Sequence, residues 1–96
     1  MTNESGMSVD VLSYGAVVTS VRVPSRNTGP EEVTLCYADL DSLRTKSPYY
    51  GATVGRVANR ISKGTFDVNG TTYRVVTNNG PNHLHGGVVG YDKVGR

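Results

Sequence analysis

A chain of 96 residues has room for one small domain with a thin core. Ten basic and eight acidic side chains, scattered without a run, leave a formal net charge of +2, which excludes a polybasic arm for nucleic acid. No stretch is apolar for long enough to span a bilayer, so no membrane partner is expected.

Hydrophobic residues make up 36% of the chain and 15 of them are valine, which points to strands. The opening Met1–Asp10 lacks the apolar core and cleavage site of a secretory leader, and a cytoplasmic protein is expected. Two strands are predicted at Val9–Ser13 and Ala16–Val23, with a bend at Tyr14-Gly15. In the second, Val17, Thr19, Val21 and Val23 share one face by period two, and Pro24 ends the run. The loop "PSRNTGPEE" leads to a third predicted strand at Val33–Tyr37, where Cys36 is read as a buried free thiol. One or two helical turns follow, capped by Asp39 or Asp41, with Leu40 and Leu43 on one side. These two aspartates have no third carboxylate to complete a metal site and read as cap or surface residues.

Gly51–Ile61, "GATVGRVANRI", reads as an apolar strand broken by Arg56, Asn59 and Arg60. An arginine in a buried strand needs a partner or a ligand. Strict alternation puts Asn59 and Arg60 on opposite faces, so they share one site only if the strand ends or bulges there. Beyond them, "GTFDVNGTTYRVV" carries Asn69-Gly70 between alternating runs, the strongest short-range signal for a hairpin. A two-residue loop pairs Val68 with Thr71, Asp67 with Thr72 and Phe66 with Tyr73, and the Phe66/Tyr73 face is expected to be core.

The two histidines of the chain, His83 and His85, lie two residues apart in "NNGPNHLHGG". On a strand they would point to the same face, a spacing compatible with a metal, but no third ligand stands near except Asp92. The other reading is an imidazole that binds or handles protons beside glycines that admit a ligand to the backbone.

"YGAVVTSVRVPSR", "SPYYGATVGRVANRISKGTF", "NNGPNHLHGG" and "GYDKV", in that order and spacing, resemble the N-terminal part of the aldose 1-epimerases. The resemblance implies an all-β chain: residues 1–96 would be the incomplete N-terminal part of a single antiparallel β-sandwich. It also implies a free hexose such as galactose or glucose as partner, interconversion of its α and β anomers by acid/base ring opening and reclosure, and no metal or organic cofactor. Arg60 and His85 match positions that line the sugar site and Asn59 matches one beside it; His83 is implied to be a neighbour in a similar environment without a site role. The catalytic glutamate, the acid histidine and a binding aspartate of the family match nothing here, so residues 1–96 alone are expected to be inactive. A sandwich cut after its first strands leaves apolar faces and edges uncovered, so these residues are also expected to be poorly folded or self-associating. Two alternatives stand beside this reading. A non-catalytic carbohydrate-binding or interaction module would keep the scaffold without turnover, and a phosphosugar epimerase would need a clear phosphate-binding cluster, which the sequence does not show for Arg56, Arg60 and Arg74.

Overall fold

The structure is a computed structural model that describes residues 1–46 and 48–95. The chain divides into two compact units, Met1–Thr53 with Gly95, and Val54–Val94.

In the first unit, β1 (Ser8–Val11) and β2 (Val18–Val23) pair antiparallel with Val9 opposite Val21, and β3 (Glu31–Glu32) joins β2 through Arg22 and Val23. The connection between β1 and β2 is longer than the sequence suggests, because Gly15 and Ala16 both take positive φ and delay the second strand to Val18. Val17 is buried, and Thr19, Val21 and Val23 on the same face are half-buried. The expected third strand at Val33–Tyr37 does not form; the strand is the two-residue β3 just before it. The reason lies in Glu32. Val33 still donates to the Val21 carbonyl at 2.9 Å, but the matching Val21 N–H goes to Glu32 Oε1 at 2.9 Å, and the same oxygen takes the Thr34 N–H at 3.0 Å. The carboxylate occupies the Val21 donor that a longer strand would use. Ser20 Oγ also donates to Glu32 Oε2. That hydroxyl bond, followed by the Val21 N–H, holds the Glu32 carboxyl down at about 2, well below the usual carboxylate range.

Helix α1 (Leu40–Lys46) starts where a cap was expected: Asp39 Oδ1 accepts the Ser42 N–H at 2.7 Å, and this bond lowers the Asp39 pKa. Leu43 is buried while Leu40 is half-exposed. Cys36 lies in irregular chain, not a strand, and is only half-buried, beside Leu12, Thr19 and Leu43.

The second unit holds two two-stranded sheets. β4 (Arg60–Ile61) pairs antiparallel with β7 (His83–Leu84), and β5 (Thr65–Val68) with β6 (Thr71–Arg74). The hairpin has the predicted register, Val68 opposite Thr71, Asp67 opposite Thr72 and Phe66 opposite Tyr73, and Asn69 and Gly70 both take the positive φ that its turn requires. Phe66 and Tyr73 stack with ring centroids 5.6 Å apart, yet they are 40% and 48% exposed. Their face is therefore not core: a two-stranded ribbon cannot cover its own apolar side. No helix among the described residues is long and apolar enough to cross a membrane.

Candidate functional site

Gly51–Ile61 is not one buried strand; only Arg60 and Ile61 join a sheet. Arg56 is exposed, with its guanidinium 5.5 Å over the Tyr91 ring, so a cation–π contact supplies the partner that burial would have demanded. Asn59 takes φ 62°, which stops the strand at its first residue and turns the chain there. That turn meets the condition for Asn59 and Arg60 to share a site, and Arg60 Nη1 donates to Asn59 Oδ1 at 3.4 Å.

The opposite strand ends in the same way. Arg60 faces Leu84 and Ile61 faces His83, so the next antiparallel pair is Asn59 with His85. Half of its ladder survives: His85 N–H donates to the Asn59 carbonyl at 3.0 Å. The other half is replaced. His85 has φ 51°, which turns its carbonyl out of the ladder, and its imidazole Nδ1 takes the Asn59 N–H at 2.9 Å instead. Two non-glycine residues in the left-handed region cost on the order of 1 kcal/mol each, and here each makes a bond with the other. One consequence is chemical. Because Nδ1 accepts, the neutral His85 ring carries its proton on Nε2.

His83 is the reverse case. It is buried, and its Nδ1 lies 2.7 Å from the Val76 carbonyl, which can only accept, so the neutral ring carries its proton on Nδ1. It lines a cavity of about 380 Å³ with Ile61, Phe66, Val75 and Val89, and that lining includes neither Asn59, Arg60 nor His85. The expectation that both histidines meet a similar environment is corrected: the positive φ at His85 ends the alternation that would have put them on one face. No group of three or more His, Cys, Asp or Glu side chains is placed to hold a metal ion among the described residues.

The turn before β7 supplies bonds that the sequence reading missed. Asn78 grips Leu84 from the side, its Oδ1 accepting the Leu84 N–H at 2.7 Å and its Nδ2 donating to the Leu84 carbonyl at 2.9 Å. Leu84 is the non-hydrogen-bonded partner of Arg60, so its peptide groups point away from β4, and the Asn78 amide stands in for a third strand. Asn79 and Asn82 close the turn by exchanging backbone bonds of 3.0 Å, and Asn82 Oδ1 takes the Lys63 N–H at 3.2 Å. Asn79 Oδ1 accepts from Arg60 Nε at 2.9 Å. The signal for these roles was the run of asparagines in "NNGPN", which reads equally well as ordinary turn composition.

The result is an exposed polar corner: the Asn59 amide, the Arg60 guanidinium and the half-buried His85 ring, each held by a side-chain bond. A fork of N–H donors beside an imidazole N–H suits a ligand rich in hydroxyl oxygens.

The family model described as aldose 1-epimerase matches residues 1–94. The chain belongs to the aldose 1-epimerase family. It is 50% identical over 88 residues to a galactose mutarotase of Sus scrofa and 33% identical over 93 residues to an aldose 1-epimerase of Escherichia coli. Those matches cover 92% and 97% of this chain but 26% and 27% of the relatives, so the chain spans about a quarter of their length. Among solved structures, the GalM/aldose epimerase homologue from C. elegans superposes with a TM-score of 0.86 at 34% identity, covering 96% of this chain and 28% of that one. The galactose 1-epimerase from Lactobacillus acidophilus gives a TM-score of 0.77 at 32% identity. The all-β, antiparallel class expected from the sequence is the class observed.

Proposed function

We propose that the corner formed by Asn59, Arg60 and His85 binds a free hexose, galactose or glucose, and that the protein containing it interconverts the sugar's α and β anomers. The observation that carries this reading is the exposed Arg60 guanidinium, held by Asn79 and Asn59 beside the His85 ring, in a chain of this family.

In the reaction a base removes the C1 hydroxyl proton and an acid protonates the ring oxygen as the C1–O5 bond breaks. The open-chain aldehyde rotates about C1–C2, and the hydroxyl re-adds to the other face. By resemblance, the acid and base are carried outside residues 1–96, and this segment binds and orients. Arg60 donates to sugar oxygens from its Nη groups, His85 donates from Nε2, and Asn59 keeps both in place. Orienting the ring so that O1 and O5 meet the acid and base is where such contacts assist the rate.

The test is a chimera in which this chain replaces the matched segment of the Sus scrofa galactose mutarotase, assayed by polarimetry on fresh α-galactose. The chimera is expected to accelerate mutarotation. Arg60→Ala and His85→Ala are each expected to lower kcat/KM by about 10²-fold, the effect of losing charged or paired donors. Sugar binding without turnover by the chimera would favour a carbohydrate-binding module, and full activity in both variants would remove the corner from the site.

A further inference from the structure

We infer that Asn79 is a positioning residue for Arg60: its side-chain carbonyl fixes the guanidinium plane so that the Nη donors face the ligand. This rests on the proposed binding corner but can fail separately from it.

Arg60 is exposed, and an exposed arginine ordinarily samples many rotamers, losing up to about 2 kcal/mol of freedom when a ligand immobilises it. Here the bond from Nε to Asn79 Oδ1 at 2.9 Å removes that freedom in advance. Nε lies at the inner edge of the guanidinium, so a bond there fixes the plane without consuming the outer fork. Nη1 makes only the long 3.4 Å bond to Asn59 Oδ1, and Nη2 has no hydrogen-bond partner among the described residues. Two inner contacts thus leave outward-facing donors, a pre-organised half of a bidentate site.

Asn79 can serve because it is itself fixed. It is half-buried, its N–H and C=O are tied to Asn82 across the Gly80-Pro81 turn, and the neighbouring Asn78 ties the same turn to Leu84. A side chain on such a turn is a rigid acceptor rather than a second mobile group. The turn "NNGPN" therefore acts on both halves of the corner: Asn78 on the strand that delivers His85, and Asn79 on Arg60.

The first measurement is the Arg60 Nε–H signal in the 15N-labelled mutarotase chimera. Slower exchange with water than in exposed Arg26 and Arg74, and loss of that protection in Asn79→Ala, are expected. Protection no greater than in those two arginines overturns the inference, whatever the catalytic result. The second is kinetic, in the mutarotase chimera. Asn79→Ala is expected to raise KM for galactose by about tenfold with kcat changed less than about threefold, as for a lost hydrogen bond to a charged group. Asn79→Asp, which keeps the acceptor oxygen, is expected to restore KM to within about threefold. A fall in kcat with unchanged KM, or no rescue by Asp, assigns Asn79 a merely structural role and sinks the proposal. Should Asn79→Ala not fold, as judged by loss of the Phe66–Tyr73 cross-strand signals, the wild-type exchange measurement and Asn79→Asp decide alone. An inactive wild-type chimera counts against the proposed function, while the exchange measurement still judges the Asn79 bond.

Discussion

The β5–β6 hairpin and the Asn59/His85 corner lie in the same small unit and finish their strand pairs in opposite ways. The hairpin takes its register from the backbone: an Asn-Gly turn with the required positive φ sets every pair that follows. At the corner, backbone pairing stops after two residues and side chains take over, with His85 Nδ1 replacing a carbonyl and the Asn78 amide replacing a strand. Glu32 does the same at the end of β3. A side chain that completes a ladder is locked in orientation by doing so, which a backbone turn cannot offer. The hairpin's residues are interchangeable with others of similar shape, whereas the corner depends on particular functional groups.

Paired substitutions can break that contrast. Gly86 and Gly70 both take positive φ, 91° and 80°. A Cβ at Gly86 would stand 1.9 Å from the Gly55 carbonyl oxygen, while one at Gly70 would meet nothing within 4 Å. Gly86→Ala is therefore expected to disrupt the corner, at about 4 kcal/mol or more, the range of severe steric lesions. Gly70→Ala pays only the left-handed conformational cost, about 1 kcal/mol. Amide exchange of Leu84 and His85 in the first variant, and of Thr71 and Tyr73 in the second, measures each locally; equal effects would mean the corner is no more constrained than the turn.

Between these extremes falls Asn78→Ala, which strips the partners from both Leu84 peptide groups and is expected to cost about 2 kcal/mol. The check is faster exchange at Leu84 N–H with the hairpin unchanged. His83→Ala leaves the Val76 carbonyl without its donor and should lower stability by a similar amount, while each folded chimera molecule retains its turnover. Loss of turnover at full stability would place His83 in the site after all.

The smallest effect concerns pH. Glu32 has its pKa depressed from 4.5 to about 2, so its folded form favours the carboxylate. The stabilisation is present above about pH 4.5 and is lost as pH falls from there toward 2. Glu32→Gln should flatten that acid dependence in the Val21 and Thr34 amide exchange, and an unchanged profile would show that the carboxylate does not terminate β3.

The same contrast explains what the sequence disclosed. The hairpin register and the Asp39 cap were legible because turn and cap chemistry act within a few residues. The extent of β3 was not, since nothing local says that Glu32 will reach back to Val21. Arg60 and Asn59 stand out in the sequence as candidates, but whether they can share a site depends on the left-handed turn at Asn59, and alternation predicts the opposite. The difference between the two histidines is not legible, because a period of two assumes a strand through both and the strand ends at Leu84. The Phe66/Tyr73 face was apolar by pattern, yet pattern reports only what a face prefers, and burial depends on what lies across from it.

The most direct test of the account is the tautomer of the two imidazoles, read from long-range 1H–15N correlations at a pH where both rings are neutral. The account predicts opposite states two residues apart, with the proton on Nε2 in His85 and on Nδ1 in His83. A proton on Nδ1 of His85 would mean that the ring does not accept the Asn59 N–H, and would contradict the claim that a side chain completes the ladder at the corner.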